Sequence, residues 1–362
     1  MENMKIMNRT NLLFLSVLLI LPVSCKREYP KNTLPQNIYS NARTLQPEWE
    51  LAVGRKTNVY IFQDSILISD IDEKEAASAG YFMEVFNIHT GDTVETLLPY
   101  GAAQGKLLGA TFYPHGGDTL LVYDYVKRSV YIVDLRQFAS GVSGRAIYGK
   151  STNISTQYIL PYGNRLLCQN PYCFNINVKK YTNNGNRYIL SDTSYSYTET
   201  SEYSYNTINV VRGVSAINWT KGKIFYADAF RNLIEIHGAD LSLLSYTVGP
   251  EHFLPSYTEY RYGPESVGLI FYGDIPETYT AITATDNAVY LAFSGNKITS
   301  DLNRDNFTSY IMTFDWDGRC TDVFKTDLYI KTLSLSADES RIYAYGQSSK
   351  SEYALQKFVL DN

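Results

Sequence analysis

Short apolar stretches that end in a polar residue recur along the chain, and each is followed by a loop and a second such stretch. Leu120–Asp124 precedes Ser129–Asp134 in this way, and Lys223–Asp228 precedes Leu233–Ile236. The stretches are rich in valine, isoleucine and tyrosine, whose side chains suit a pleated, half-buried surface. No long apolar heptad pattern and no capped amphipathic helix accompanies them. The pattern therefore predicts an all-β protein.

The recurring unit is about 45–60 residues long, a length typical of supersecondary repeats. Short strands separated by turns at this spacing predict a six-bladed β-propeller of four-stranded antiparallel blades. The blades are expected at residues 55–98, 107–150, 155–198, 208–250, 278–326 and 328–362. The last unit holds only three strands, so Thr44–Val53 is predicted to add the outer strand beside Tyr353–Leu360 and to close the ring, which removes two exposed edges. A pair of β-sandwiches is the alternative architecture.

The N-terminus has the layout of a signal peptide. Lys5 and Arg9 precede the apolar run Leu12–Leu21, and Ser24 stands directly before Cys25. The run is shorter than the ~20 apolar residues that cross a bilayer as a helix. The five residues that end at Cys25 resemble a relaxed form of the lipobox of bacterial lipoproteins, which implies cleavage before Cys25 and a lipid on its thiol. A secreted protein cut elsewhere and an uncut membrane anchor are the alternatives.

These features divide the chain into a signal peptide (1–24), a lipidated tether (25–43) and the propeller domain (44–362). They predict an outer-membrane lipoprotein of the cell envelope, periplasmic or surface-exposed, that is attached to the membrane through its N-terminal lipid. The full chain has a formal net charge of −5, and residues 1–24 hold two basic residues and one acidic residue. A nucleic-acid partner requires a basic face, so the acidic mature chain argues against one.

Three cysteines follow the lipidation site: Cys168, Cys173 and Cys320. An odd number of cysteines cannot all pair within one chain. Cys168 and Cys173 flank a short turn and are candidates for a disulfide, which an envelope location permits. Two reduced thiols are the alternative. None of the cysteines has metal-ligand spacing, and neither a metal nor another cofactor is expected.

The sequence lacks the signatures of common enzyme classes, since it contains no HExxH, GxSxG or P-loop motif. His89, His115 and His237 stand in sequences typical of turns between strands. Only His252 lies in a long segment without strand pattern. The histidines therefore give no pattern of catalytic residues.

Asp70, Asp124 and Asp228 recur at one place, the end of the second strand of a unit. They could form a ring of carboxylates that binds a cation. An Asx-type turn into the next strand is the commoner use of aspartate at such a position, and it is the favoured interpretation. Their spacing does not match that of an EF-hand calcium site.

Four long segments are expected on one face of the propeller, where the connections between blades and between second and third strands open. They are residues 72–80, 100–109, 297–306 and, above all, 249–278. Loops longer than ~12–15 residues without secondary structure are usually functional or disordered. The candidate ligand-binding residues in the last segment are His252, Tyr257, Tyr260, Arg261, Tyr262 and Glu265. Tyrosine and arginine are enriched in binding hot spots; the alternative is that these tyrosines only cover blade edges.

Several stretches resemble the TolB-like six-bladed β-propeller lipoproteins of Gram-negative anaerobes. Tyr100–Gly105 is similar to a glycine-rich segment of that family but lacks its Gly-Pro-Gly core. Ala288–Gly295, Phe314–Gly318 and Leu333–Tyr345 are closer matches. The resemblance covers most of residues 45–362 and implies the propeller fold. It does not imply an activity, because one fold hosts many functions.

Two functions from different classes follow from these observations. The favoured one is a lipid-anchored module that binds a glycan or a protein ligand, or serves as a scaffold, through the long-loop face. The alternative is a propeller enzyme, a saccharide lyase or hydrolase, with its active site in the central funnel. The side chains that line the channel distinguish the two, since an enzyme of this kind needs converging carboxylates or histidines.

Overall fold

The computed structural model describes residues 30–71, 73–103, 106–114, 119–127, 129–135, 147–152, 158–162, 165–169, 176–184, 187–196, 213–239, 242–250, 256–261, 267–272, 275–298, 307–349 and 353–360. Within these ranges the protein is nearly all β, with twenty-eight strands and one short α-helix. The prediction of an all-β chain is confirmed apart from that helix. Among the same residues, no helix is long and apolar enough to cross a membrane.

Three short strands come first in the described chain. They are β1 (Lys31–Thr33), β2 (Arg43–Thr44) and β3 (Trp49–Ala52). Two antiparallel meanders follow, with strands β4 (Val59–Phe62), β5 (Ile66–Asp70), β6 (Tyr81–Asn87), β7 (Thr93–Pro99), β8 (Ala110–Pro114), β9 (Thr119–Asp124), β10 (Ser129–Asp134) and β11 (Ile147–Thr152). The helix α1 (Glu73–Ala79) lies between β5 and β6.

Two further meanders occupy the middle of the chain. Their strands are β12 (Tyr158–Tyr162), β13 (Arg165–Gln169), β14 (Ile176–Asn184), β15 (Arg187–Ser196), β16 (Gly213–Asn218), β17 (Lys223–Asp228), β18 (Leu233–Gly238) and β19 (Leu243–Val248). The remaining strands are β20 (Ser256–Arg261), β21 (Val267–Tyr272), β22 (Ile275–Ala284), β23 (Val289–Ile298), β24 (Ser309–Phe314), β25 (Cys320–Thr326), β26 (Leu328–Leu335), β27 (Arg341–Ser348) and β28 (Ala354–Val359).

Strands pair with their chain neighbours, so each predicted repeat corresponds to one antiparallel meander. The pairing predicted for the segment before the first repeat is confirmed: β3 lies antiparallel to β28, with Ala52 opposite Ala354 and Trp49 opposite Lys357. This pairing gives the last meander its fourth strand.

Three parts of the fold differ from the sequence prediction. Residues 107–150 and 155–198 were expected as separate blades, but β8–β15 form one eight-stranded sheet because β11 and β15 pair in parallel. Residues 72–80 were expected as a loop and hold α1, whose alanine, glutamate and lysine are strong helix formers. Residues 249–278 were expected to be irregular and contain the hairpin β20–β21, paired from Ser256↔Tyr272 to Arg261↔Val267. Its tyrosine, threonine, valine and isoleucine content favours strands.

The chain from Pro30 to Ala52, called the N-terminal strap below, runs along the outer edges of three sheets. β1 adds to β19 and β2 adds to β25, both in parallel, and β3 adds to β28. Side chains fix the strap between these strands: Leu34 is buried, and the Tyr39 ring stacks on Phe293 with 4.6 Å between centroids. Unpaired edges recruit other chains, so the strap protects three edges at once.

The hydrophobic core lies between neighbouring sheets. Phe225 of β17 contacts Phe314 of β24 and Trp316 beyond it, with ring centroids 5.7 and 6.2 Å apart. The first strands of the meanders also contact each other: β16 contacts β22, β22 contacts β26, and β26 contacts β4. The last sheet of the chain therefore packs against the first meander.

The meanders have two ends, which we call the linker face and the turn face. The linker face carries the starts of the first strands, the connections between meanders and the loops between second and third strands. The turn face carries the turns between first and second strands and between third and fourth strands. In neighbouring sheets, equivalent ends lie side by side. The side chain of Asn218, in the turn between β16 and β17, donates a hydrogen bond over 3.0 Å to the carbonyl of Asp286, in the turn between β22 and β23. At the linker end, Thr278 donates to the Asp228 carbonyl over 2.5 Å.

Candidate functional site

A cavity of about 600 Å³ lies between the first strands of five meanders. Its described lining comes from β4, β8, β16, β22 and β26 and from the turns that follow β16, β22 and β26. The first strands form the wall because they are the inner edges of their sheets and contact one another. The cavity is therefore the place where all five sheets can contribute to one ligand.

Most of the lining is hydroxyl-bearing, apolar or main-chain. Hydroxyl groups come from residues such as Tyr60, Ser215 and Thr283. Lys331 and Glu339 are the two charged residues of the described lining. Lys331 is the first residue of β26 in the lining and Glu339 lies in the turn after the strand ends, so they mark opposite ends of the cavity. A surface of this kind can offer hydrogen bonds and apolar contact to a ligand.

Lys331 is held at the linker-face mouth by an aromatic pair. Its Nζ lies 4.7 Å from the centroid of the Tyr353 ring and 3.4 Å from the Tyr353 hydroxyl. The Tyr353 ring stacks on Tyr345, with centroids 5.9 Å apart. A cation over an aromatic face is attracted by the ring quadrupole, and this fixes the ammonium group beside the opening.

Glu277 stands next to Lys331 on the same rim. The Tyr329 hydroxyl donates a hydrogen bond to the Glu277 carboxylate over 2.5 Å. Burial raises the pKa of Glu277, while the bond from Tyr329 and the charge of Lys331 lower it. Burial and the neighbouring Glu277 carboxylate also raise the pKa of Tyr329, so this hydroxyl remains a donor.

A second polar group lies on the rim where the first and last sheets meet. Lys56 forms an ion pair with Glu84, which also accepts a hydrogen bond from the Tyr81 hydroxyl over 2.7 Å. The bond to Glu84 is the largest cause that raises the pKa of Tyr81, to about 12. The Tyr345 hydroxyl accepts a hydrogen bond from the Lys56 backbone amide over 2.5 Å, which links this group to the aromatic pair.

Asp70 supports the cavity wall from behind. Its carboxylate accepts hydrogen bonds from the backbone amide and the side-chain amide of Asn58, over 2.5 and 2.7 Å, and Asn58 lines the cavity. Only 1% of Asp70 is exposed. Burial raises the pKa of the Asp70 carboxyl to about 7, against the two hydrogen bonds from Asn58, which lower it.

The turn interpretation is confirmed for Asp124 and Asp228. Asp124 accepts hydrogen bonds from the backbone amides of Val126 and Lys127, and Asp228 accepts them from Phe230 and Arg231. Asp70 differs from both because its partner, Asn58, directly precedes β4. Each of the three carboxylates therefore accepts hydrogen bonds from nearby residues of its own chain. Among the described residues, no group of three or more His, Cys, Asp or Glu could hold a metal ion.

Asp228 also forms a buried ion pair. The Arg231 guanidinium donates to the Asp228 carboxylate through Nε at 2.7 Å and Nη2 at 2.6 Å. Burial raises the pKa of Asp228 and the charge of Arg231 lowers it. Both residues are buried. The ion pair therefore stabilises the chain beneath the linker face and is not part of its surface.

The structure places the predicted site residues only in part. Tyr257, Tyr260 and Arg261 lie on β20, in the connection between the fourth and fifth meanders. The structure does not describe His252, Tyr262 and Glu265, nor Cys25, Cys173 and His115. Cys168 lies on β13, and its predicted disulfide therefore stays a prediction. His89 lies in a turn as predicted, but His237 lies on β18, where its Nε2 is 3.1 Å from the Glu235 carboxylate.

The rim residues Glu277, Tyr329, Lys331 and Tyr353 were missed by sequence reasoning. Glu277 and Tyr329 lie within the first three residues of their strands, Lys331 is the fourth residue of β26, and Tyr353 directly precedes β28. They meet because strands of one sheet and of its neighbour pack side by side. The one available signal was position: Lys331 is a charged residue in the first strand of a repeat, where a propeller has its channel.

Comparison with known proteins agrees with the fold and adds no activity. No family model matches the sequence, and no curated protein matches it. A solved member of the DUF4221 family from Bacteroides vulgatus has a TM-score of 0.56 at 9% identity, over 89% of this chain and 98% of that chain. A solved Bacteroides fragilis protein described as exported has a TM-score of 0.50 at 13% identity, over 92% of this chain and 99% of that chain. At these identities the likeness shows the fold alone.

Both of these structures come from Bacteroides, which agrees with the Gram-negative anaerobes indicated by the sequence resemblance. The resemblance to TolB-like lipoproteins in particular stays a prediction.

Proposed function

We propose that this protein is a six-bladed β-propeller lipoprotein of the cell envelope that binds a glycan or protein ligand at its linker face. The six antiparallel meanders support the propeller, as do the contacts between their first strands and the packing of the last sheet against the first. The pairing of β3 with β28 supports closure of the ring by the N-terminal segment. The resemblance of the residues that end at Cys25 to a lipobox supports the anchor, and the description of the Bacteroides fragilis neighbour as an exported protein supports the location.

The cavity lining is the observation that favours binding over catalysis. Glycoside hydrolases use two carboxyl groups that flank the scissile bond, usually ~5–10 Å apart. The described lining provides one carboxylate, Glu339, and one ammonium group, Lys331, at the opposite end of the cavity. Hydroxyl and aromatic groups around a fixed cation suit recognition of a polar ligand, in which few residues supply most of the affinity.

A binding screen tests this proposal. The soluble chain that starts after Cys25 is applied to a glycan array and to native envelope extracts, and captured ligands are then measured by calorimetry. Lys331→Met keeps the length of the side chain and removes its charge, so it is expected to weaken binding by ~1 kcal/mol or more, the usual hot-spot threshold. Lys221→Met, on the turn face, is the matched control and is expected to leave binding unchanged.

The hairpin β20–β21 provides a second test of the same face. Arg261→Ala and Tyr260→Ala are each expected to weaken capture by ~1 kcal/mol or more with little change in melting temperature. Unchanged affinity in both variants and in Lys331→Met would contradict a ligand site on the linker face. Turnover of a captured saccharide by the parent protein would instead favour the enzyme alternative.

A further inference from the structure

The strap begins beside the middle of β19 and runs toward the linker face. At its start, the Pro30 carbonyl accepts a hydrogen bond from the Tyr246 amide over 3.1 Å. From there β1 runs parallel to β19 as far as Leu34, whose amide donates to the Val248 carbonyl at the linker end. Since β19 is the fourth strand of its meander, it starts at the turn face. The described strap therefore runs away from the turn face, and Pro30 is its residue nearest to that face on this edge.

The distance from this point to the predicted lipid is short. Five peptide steps separate Cys25 from Pro30, and they span at most about 18 Å when fully extended. The pairing of β1, β2 and β3 joins the strap to the body, and Pro30 is the first residue that the structure describes. A lipid on Cys25 consequently holds this edge of the protein close to the bilayer.

Exposed apolar side chains are concentrated at the same end. The described chain has five large ones: Val94, Val126, Trp219, Leu244 and Val359. Four of them lie at the turn face. Trp219 follows β16 and is 42% exposed, Val94 and Leu244 are second residues of fourth strands, and Val359 ends a third strand. Val126 alone lies at the linker face. Tryptophan favours the boundary between water and lipid because its ring is amphipathic.

Charge does not explain a preference of this face for membranes. Lys221, Lys223 and Arg319 are offset by acidic neighbours, and the Lys223 ammonium pairs with Asp317 at 2.5 Å. Association through anionic lipid headgroups needs a basic cluster. The short tether and the exposed apolar side chains are thus the features that favour contact of the turn face with the bilayer.

From this geometry we infer that the turn face lies against the lipid bilayer and the linker face points away from it. The inference rests on the lipid anchor of the proposed function and adds the orientation. It places the mouth with Lys331 and Tyr353, and the hairpin β20–β21, on the membrane-distal side. A ligand then reaches the site without passing between the protein and the membrane.

Energy transfer to the membrane tests the orientation. The lipidated full-length protein is reconstituted into phosphatidylethanolamine–phosphatidylglycerol vesicles that carry an acceptor dye on a lipid headgroup. A genetically encoded fluorescent amino acid replaces either Asn287, exposed at the turn face, or Val126, exposed at the linker face. We expect several-fold stronger transfer from position 287, at low and at high salt. Equal transfer, or stronger transfer from position 126, would overturn the inference.

Flotation of the same samples separates the orientation from the anchor. Parent protein is expected to float with the vesicles, and Cys25→Ala is expected to stay in solution. Failure of the parent to float would overturn both the anchor and the orientation, whereas flotation with reversed transfer would overturn the orientation alone. Trp219→Ser supplies a second readout: brominated lipids are expected to quench the parent fluorescence and to quench this variant much less. Equal quenching of the two would count against the turn face as the bilayer contact.

Discussion

Stability should depend on pH through Asp70, and the sign of the effect is opposite to that of most carboxylates. The ordinary pKa of an aspartate is 3.8, and burial raises that of Asp70 to about 7 in the folded protein. Between these pH values the folded protein holds a proton that the unfolded chain has released. The contribution of Asp70 to the free energy of unfolding therefore falls as pH rises from about 4 to about 7 and is level outside this window.

The size of the effect follows from the two pKa values. They differ by about 3, and one pKa unit corresponds to about 1.4 kcal/mol, so the loss of stability is about 4 kcal/mol at most. The hydrogen bonds from Asn58 stabilise the carboxylate and are already part of this balance. A decrease of about 2–4 kcal/mol would be a large part of the ~5–15 kcal/mol by which a typical domain is stable.

Urea unfolding of the parent and of Asp70→Asn, measured from pH 4 to pH 8, gives the contribution of Asp70 as the difference between the two curves. The substituted amide cannot ionise, and its single carbonyl oxygen can accept from only one of the two Asn58 donors. The variant is therefore expected to lose some stability at every pH and to lose the pH dependence that Asp70 causes, so its stability relative to the parent should rise between pH 4 and pH 7. Other buried carboxylates such as Asp228 affect both proteins equally. Asp286→Asn, at an exposed turn, serves as control. Parallel curves for the parent and Asp70→Asn would refute the reasoning.

Three further results are expected. Arg231→Met leaves Asp228 buried without its cation and should cost about 3–5 kcal/mol in urea unfolding, whereas Arg319→Met at the surface should cost little; equal effects would contradict a structural ion pair. Deletion of residues 49–52 removes β3 and exposes the edge of β28. Light scattering should then show aggregation, or calorimetry should show a large fall in melting temperature. A variant that melts like the parent would argue against closure of the last meander by β3. Cys25→Ala should move the protein out of the membrane fraction, and a processed variant that stays there would defeat the lipid anchor.

The meanders could be predicted because their signal is local. Alternation of apolar and polar residues within a strand and the turn residues between strands are read from a few neighbouring positions, as at Leu120–Asp124 and Ser129–Asp134. The pairing of β11 with β15 has no comparable signal, because only two residues of each strand pair and the two strands are far apart in the sequence. The same holds for β1 and β2, which are too short to show a period.

The candidate site was predictable as a face but not as a set of residues. Which loops open together follows from the order of strands in a meander, so the linker face could be assigned from the sequence. Lys331 and Tyr353 meet across the strands of one sheet, and Glu277 joins them from the next. Such contacts depend on how sheets pack, and no periodicity within one strand encodes them. The aromatic residues around Arg261 can be recognised from composition alone, whereas the packing that brings the rim residues together cannot.

The strap makes the proposed orientation mechanically possible. A lipid anchor orients a protein only if the chain between lipid and body is short and its attachment to the body is rigid. Backbone pairing with β19, β25 and β28 fixes the strap at three sheets, and the Arg43 guanidinium adds an ion pair with Asp322 at 3.1 Å. The stacked Tyr39 joins the strap to the rim, since its hydroxyl accepts a hydrogen bond from Asn232 over 3.0 Å. The strap thus protects sheet edges and completes the last meander. In the proposed orientation it would also hold the ligand-binding linker face on the side away from the membrane.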